Sequence, residues 1–370
     1  MVQKKSPVVL IVLDGVGDNP NPKGNAVLAA NTPYMDELYE KYPWTLLDAS
    51  GEAVGLPDGF QGSSEVGHLS MGAGRIIEQE LKRINDKLED GSLFANEKWQ
   101  NLISTWKKDN SQFHLFGLLQ DEGVHAHQDH LFKFIKRARQ EFPEGRIVIH
   151  PFLDGRDTPP CSTLEYFYAL QRTMEEIGNC TIGTIMGRYY SMDRVMSWDL
   201  TDRAYHCIVD AVGKNADEPE AAIKATYEND KTPSGVPMFD EYIEPHVIGD
   251  YKGIADGDVI LHTNYRQDRA IQLTRAFVEA DYPGKLHRKP QVVYVGLTRY
   301  YDEFEDYLLG GMDSGAAKLD NIVGQVISEA GMKQLRLAET QKFRHVTSFF
   351  NGKSTTPFPN EDQVEVPSRF

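Results

Sequence analysis

Five arginines stand just beyond short apolar runs, where a strand would hand over to a loop. Residues 146–153 lead into Asp154-Gly155-Arg156-Asp157. Residues 181–186 lead into Gly187-Arg188-Tyr189-Tyr190 and then Met192-Asp193-Arg194. Residues 259–263 lead into Arg266-Gln267-Asp268-Arg269. A further run, 113–119, is followed by Asp121 to His127, which contains His125. Guanidinium forks match phosphate and carboxylate bidentately. For any single arginine, pairing with Asp154, Asp157, Asp193 or Asp268 is the simpler account. Five at equivalent positions point instead to a shared small anion with more than one acidic group.

A second stretch with chemical potential runs from Pro57-Asp58-Gly59 through Gly62-Ser63-Ser64-Glu65-Val66-Gly67-His68 to Gly72-Ala73-Gly74-Arg75. Its glycines suit a tight loop, and the residues after Ser64 suit a short helix. A hydroxyl at a helix start is well placed to become a phosphoester, because free N–H groups and the dipole favour anions. The plainer alternative is that Ser64 only caps the helix, and the loop alone favours it. The stretch is not a P-loop, since no Gly-Lys-Ser/Thr ends it. His125, His127 and His130 have the spacing of a metal cluster, but no third ligand is fixed. A phosphate-contacting histidine or surface histidines are the better readings.

The elements that must position these residues follow from the apolar pattern. Runs at 8–13, 44–49, 113–119, 146–153, 181–186, 259–263, 291–297 and 345–350 read as strands. The first is β-branched and continuous, as in a strand buried on both faces. Helical stretches lie between many of them, at 33–42 behind Thr32-Pro33, and at 131–140, 164–176 and 321–330. The alternation predicts an α/β protein with mostly parallel sheets, whose ligands sit beyond the carboxyl ends of strands. Soft connections are expected around 79–90 and 308–318.

Composition narrows the function. The 370 residues suggest roughly two to three domains. They are 40% apolar and 25% charged, which excludes a mainly disordered chain. A net charge of −16 without a basic run argues against nucleic acid and membrane surfaces as partners. Cys161, Cys180 and Cys207 have no C-x-x-C pairing and are expected to be buried free thiols in a reducing compartment. The apolar run behind Lys4 and Lys5 has six residues, short of the roughly 7–15 of a signal peptide. A soluble, cytoplasmic protein is expected.

Taken together, these stretches resemble the 2,3-bisphosphoglycerate-independent phosphoglycerate mutases of the alkaline phosphatase superfamily. The resemblance rests on Leu13-Asp14-Gly15, Ala30-Asn31-Thr32-Pro33, Ser64-Glu65-Val66-Gly67-His68, Gly123-Val124-His125, Leu153-Asp154-Gly155-Arg156-Asp157, Gly187-Arg188-Tyr189-Tyr190, Arg266-Gln267-Asp268-Arg269-Ala270, Ala338-Glu339-Thr340, Lys342 and His345-Val346-Thr347. Ser63 departs from the asparagine usual in the family, but the register still selects Ser64. The resemblance implies a discontinuous phosphatase-like domain, residues 1–78 and 316–370, incomplete at its C-terminal side. An α/β transferase-like domain, 79–315, is inserted into it. Ser64 would be the nucleophile that carries a phosphoserine between 3-phosphoglycerate and 2-phosphoglycerate, a step of glycolysis and gluconeogenesis. Asp14 and Ser64 would ligate one of two divalent metals, Mn2+ by family usage. Family members continue past the position of Phe370 through a segment with the other ligands, so the second metal site is not completed here. His125, Arg156, Asp157, Arg188, Arg194, Arg266, Arg269 and Lys342 match the substrate-binding positions, and Asp157 would handle the glycerate hydroxyl proton. The implied partner is this small substrate, and the implied state a monomer.

Two other readings compete. A phosphatase of the same superfamily has no need to hold dephosphorylated glycerate. A chain that binds phosphoglycerate without turning it over would follow from the unmatched ligands. A dinucleotide enzyme is weaker, because no Gly-x-Gly-x-x-Gly follows the first run.

Overall fold

The computed structural model describes residues 7–109, 111–310 and 319–368. The chain divides into two compact units, Glu80–Ala317 and the discontinuous Met1–Gln79 with Lys318–Phe370.

Glu80–Ala317 is built on a nine-stranded sheet. Its strands are β1 (Gln112–Leu118), β2 (Arg146–Leu153), β3 (Cys180–Ile182), β4 (Thr184–Gly187), β5 (Lys214–Ala216), β6 (His246–Ile248), β7 (Val259–His262), β8 (Val293–Thr298) and β9 (Tyr307–Leu309). The order is β5-β6-β4-β2-β1-β7-β8-β9, with β3 also pairing β2. β1, β2, β4 and β7 are mutually parallel, so their carboxyl ends share one edge. β6 runs antiparallel to β4. Phe113 to Leu118 are all buried, as expected of a central strand covered on both faces. Helices supply the cover. In Gln128–Glu141 the buried residues are His130, Leu131, Phe134, Ile135 and Ala138, a single stripe at helical spacing. Phe134 meets Trp99, which packs edge-on against Phe94 and Phe113. Another core joins Phe116, Phe152, Met186, Tyr205, Phe277 and Tyr294.

The expected run 181–186 is split into β3 and β4, with Gly183 between them. The expected soft connection at 79–90 is instead the helix Glu80–Glu89. Leu81, Ile84 and Leu88 give it a buried stripe, which overrides its polar composition. The expected connection at 308–318 falls on β9 as far as Leu309, and 311–318 lie outside the described residues.

The other unit holds a two-stranded parallel sheet, β10 (Gln334–Glu339) with β11 (Glu361–Val366). Its helices include Pro33–Lys41, opened by Pro33 in the first turn, then Ser64–Ala73 and Val323–Glu329. Three strand expectations fail here. Residues 8–13 and 44–49 are irregular, with Val8 98% and Leu47 86% exposed. An apolar run becomes a strand only where a neighbour completes its ladder, and neither has one among the described residues. Residues 345–350 form a π-helical turn, His345–Phe349, not a strand. This turn packs on Ser64–Ala73, where Gly72 lies so close to the Phe350 carbonyl that a Cβ would collide with it. Of the cysteines only Cys207 is buried, its thiol pushed up to about 12 by burial, while Cys161 is exposed. No helix among the described residues is long and apolar enough to cross a membrane.

Candidate active site

Two clusters gather the residues singled out in the sequence, one in each unit.

In Glu80–Ala317 the cluster forms at the carboxyl edge shared by β1, β2, β4 and β7. The Asp154 carboxylate ends β2 and accepts from the backbone N–H groups of Arg156 and Asp157, at 3.2 and 3.1 Å. That turn presents both side chains. The same oxygen takes Nη1 of Arg188 at 2.6 Å, and Nη1 also reaches Asp157 Oδ2 at 2.6 Å. Arg188 is 1% exposed and opens the short helix after Gly187. Gly187 has no room for a Cβ, because the Glu241 carbonyl fills that space. The approach brings Glu241 to Arg156, paired at 3.0 Å. Beyond β7, Arg266 and Arg194 both reach Asp268, at 3.1 and 2.5 Å. The His125 carbonyl accepts from the N–H groups of Tyr265 and Arg266, which ties the loop after β1 to the loop after β7.

Simple pairing with nearby aspartates therefore describes part of the cluster but not its electrostatics. Arg269 donates to the Met192 carbonyl at 3.0 Å. Burial, then the guanidinium charges of Arg188, Arg194 and Arg156, hold it down at about 10. His125 is pushed to about 2 by burial and by Arg188, Arg266, Arg269 and Arg194. After burial, the neighbouring guanidiniums disfavour the charged forms of these two groups, whereas Asp154 and Asp157 raise Arg188 against the cost of its burial; a bound anion would favour the charged forms. Two orphaned buried nitrogens agree: among the described residues His125 Nδ1 and Arg188 Nε have no hydrogen-bond partner. Buried polar atoms are otherwise almost always paired.

Sequence reasoning missed two supporting residues. Glu241 aims Arg156, and Asp240 beside it accepts from Ser162 and Thr163 N–H groups and from the Tyr227 hydroxyl. Burial raises Asp240 to about 6. Nothing in the local pattern links residues some 85 positions apart. His127 and His130 do not join His125 in a metal cluster. His127 caps the helix Gln128–Glu141, and His130 bonds Asn85 at 2.7 Å.

The second cluster surrounds Ser64. Ser63, not Ser64, is the helix cap, its side chain accepting from Val66 N–H at 3.4 Å. That leaves the Ser64 hydroxyl in the first turn, free of capping. Lys342, at the end of the turn that follows β10, donates to Ser64 Oγ at 2.9 Å and forms an ion pair with Asp14. The Lys342 hydrogen bond is the main cause of a lowered Asp14 pKa, helped by a bond from Ser64 and by the Lys342 charge. His68 Nδ1 donates to the Ser64 carbonyl at 2.7 Å. His345 stands beside it, ring centroids 5.5 Å apart, its pKa lowered by burial and the Lys342 charge.

The donors toward a divalent ion at Ser64 are its own hydroxyl and the Asp14 carboxylate. Among the described residues no group of three carboxylate, imidazole or thiolate ligands forms around them. The Lys342 ammonium already bridges both. This set does not fit a two-ion site, which needs many anionic donors to offset the repulsion between cations.

Fold and clusters together are those of an α/β protein with five arginines gathered at the carboxyl edge of its sheet and, in the other unit, a serine hydroxyl held by a lysine. The comparisons with known proteins make the assignment specific. The family described as BPG-independent PGAM N-terminus matches residues 84–302. The curated 2,3-bisphosphoglycerate-independent phosphoglycerate mutase of Moorella thermoacetica is 44% identical over 98% of this chain and 69% of its own length. A namesake from Methanosarcina barkeri is 43% identical over 100% of the chain and 70% of its own length. Among solved structures, Leishmania mexicana phosphoglycerate mutase at low cobalt concentration matches 97% of this chain and 67% of its own, with 31% identity and a TM-score of 0.75. The chain belongs to the 2,3-bisphosphoglycerate-independent phosphoglycerate mutases, which are isomerases.

Proposed function

We propose that this chain interconverts 3-phosphoglycerate and 2-phosphoglycerate through a phosphoserine on Ser64. The observation that carries the reading is the mutual crowding of Arg156, Arg188, Arg194, Arg266, Arg269 and His125 at one sheet edge. A phosphorylated carboxylic acid supplies the two anionic groups such a cluster wants. Residues 79–315 act as the transferase-like part that holds the substrate, and 1–78 with 316–370 as the phosphatase-like part that holds the nucleophile.

Ser64 Oγ attacks the substrate phosphorus and gives up its hydroxyl proton. The bond from phosphorus to the 3-oxygen breaks, and that oxygen takes up a proton. Glycerate stays bound, its carboxylate on the guanidiniums, while it turns to offer its 2-hydroxyl. That hydroxyl attacks the phosphoserine and gives up its proton, and Ser64 is regenerated. Asp157, salt-bridged to Arg188 and 3.7 Å from His125 Nε2, handles the glycerate hydroxyl proton. Lys342 fixes the Ser64 oxygen and offsets charge developing on it. The family reading adds two divalent metals, Mn2+ in particular, with Asp14 and Ser64 among their ligands. Since the donors described do not fit such a site, none of the steps above is routed through it. The same reading places the chain in cytoplasmic glycolysis or gluconeogenesis, as a monomer whose partner is a small molecule and neither nucleic acid nor membrane.

The test is to incubate the protein with 3-phosphoglycerate labelled in its phosphoryl group, quench, and map the label by mass spectrometry. Label on Ser64 together with 2-phosphoglycerate formed supports the mutase. Release of inorganic phosphate without 2-phosphoglycerate would make the chain a phosphatase instead.

A further inference from the structure

His206 and Asp210 stand one turn apart at the end of the helix Trp198–Asp210, and His287 reaches them from the segment that precedes β8. Their ligand atoms all lie within 4.8 Å of one another. None of the three belongs to the arginine cluster or to the surroundings of Ser64.

The hydrogen bonds around them settle which atoms are free. His206 Nε2 lies 2.8 Å from the Lys285 carbonyl oxygen, which can only accept, so Nε2 carries the proton. In a neutral ring Nδ1 then presents a lone pair, and it points at Asp210 Oδ2 across 2.8 Å. Two lone pairs at that separation need a cation between them. A proton is one candidate and a metal ion the other. The outer contacts favour the metal. Ligating histidines characteristically donate their second N–H to a carbonyl, and ligating carboxylates are held from behind. His206 does the first. Arg288 Nε does the second, donating to Asp210 Oδ1 at 2.8 Å. A third donor is at hand: His287 Nδ1 is 3.5 Å from the same Oδ2. Its ring now stacks on His206 with centroids 3.8 Å apart, and at 66% exposed it has room to turn its lone pair inward.

We propose that His206, Asp210 and His287 bind one divalent transition-metal ion of the zinc type, with water completing the shell. Two imidazoles and one carboxylate suit zinc, nickel or copper and are wrong for calcium or magnesium, which take oxygen. The ion would pin the segment containing Tyr282, Lys285 and Arg288 to the helix. That segment is already anchored there by bonds to Asp202 and to the Val209 carbonyl.

The test titrates the full chain with Zn2+ by calorimetry at pH 7.5, and with Co2+ while following its visible bands. Wild type, His287→Ala, Asp210→Asn and Asp14→Asn are compared. One equivalent should bind in wild type and in Asp14→Asn. Affinity should fall more than about 100-fold in His287→Ala, since loss of an outer partner alone costs 10–100-fold. His287 is exposed, so its removal leaves folding intact, and zinc should raise the melting temperature of wild type but not of this variant. Equal uptake by wild type and His287→Ala would overturn the proposal. So would binding lost only in Asp14→Asn.

Discussion

β1 and the run at 8–13 are apolar stretches of nearly equal length, and they meet opposite fates. β1 lies between β2 and β7, and Leu115 is 0% exposed. Residues 8–13 pair with no strand among the described residues, and Ile11 is 75% exposed. Trp99 and Trp44 repeat the contrast, at 0% and 60% exposed. An apolar sequence supplies the driving force for burial, while a strand also needs a partner for its N–H and C=O groups. The same contrast runs through the two clusters. The arginine cluster gathers five guanidiniums, a histidine and their carboxylate supports from within one unit. The Ser64 cluster has a serine hydroxyl, a lysine, a single carboxylate and two imidazoles.

The sharpest way to separate the two clusters is to remove the nucleophile. Ser64→Ala should lower phosphoryl transfer by on the order of 10⁴-fold or more, as for other catalytic nucleophiles, while calorimetric binding of 3-phosphoglycerate stays within about twofold. Ser63→Ala should keep most of the transfer and cost about 1 kcal/mol of stability as a lost cap. Transfer surviving in Ser64→Ala but not in Ser63→Ala would reassign the nucleophile.

The reverse experiment strips the anion site. Arg269→Ala or Arg266→Ala should weaken 3-phosphoglycerate binding by about 2–5 kcal/mol, with the circular dichroism spectrum unchanged. Arg269 should show the larger loss, since Arg266 already has Asp268 as a partner. Undiminished binding in both would mean that these side chains serve the fold and not a ligand.

Acid should act on the sheet-based unit in a predictable direction. His125, His130 and His262 are buried and held near 2, 3 and 3. Below the unfolded value of about 6.5 only the unfolded chain takes up these protons, so stability falls as the pH drops. Between pH 6.5 and 5 each contributes a loss of about 2 kcal/mol. Asp240, raised to about 6, works the other way, since the folded form gains its proton first. Its offset is about 1 kcal/mol at pH 5. Urea unfolding followed by the fluorescence of buried Trp99 and Trp106 should shift to lower urea at pH 5. His125→Gln should flatten part of that slope, the rest coming from His130, His262 and the likewise buried His150. A midpoint that holds or rises from pH 7 to 5 would refute the assignment of these rings as neutral.

Much of the fold was legible because parallel strands buried on both faces are written as uninterrupted apolar runs, as in 113–119 and 146–153. The arginine site was legible for the same reason, since function in such sheets collects where the runs stop. Failures came where a run was read without its neighbours. Residues 345–350 are apolar enough for a strand, yet Gly72 admits them only as a tight turn against the Ser64 helix. Glu241 and Asp240 escaped because their roles depend on the sheet order that brings β4 beside β6. The distinction between Ser63 as cap and Ser64 as the hydroxyl left for Lys342 turns on one hydrogen bond that composition does not encode.

The smallest expected effect tests the opening contrast most directly. Leu115 is 0% exposed in β1 and Leu10 is 65% exposed in the irregular run. Truncating Leu115 leaves a cavity among packed neighbours, so Leu115→Ala should cost about 2–5 kcal/mol. Leu10 loses little that was buried, and Leu10→Ala should stay within about 0.5 kcal/mol. Hydrogen exchange reads both sites at once, which matters because two units need not unfold together. The amides of β1 should exchange only with global opening, and those of residues 8–13 at nearly the rate of free peptide. Protection at 8–13, with a cost above about 1 kcal/mol for Leu10→Ala, would mean that this run finds a strand partner in solution. Concentration dependence would then decide whether that partner is a second copy: protection that fades on dilution is intermolecular, and protection that persists is a pairing within the chain.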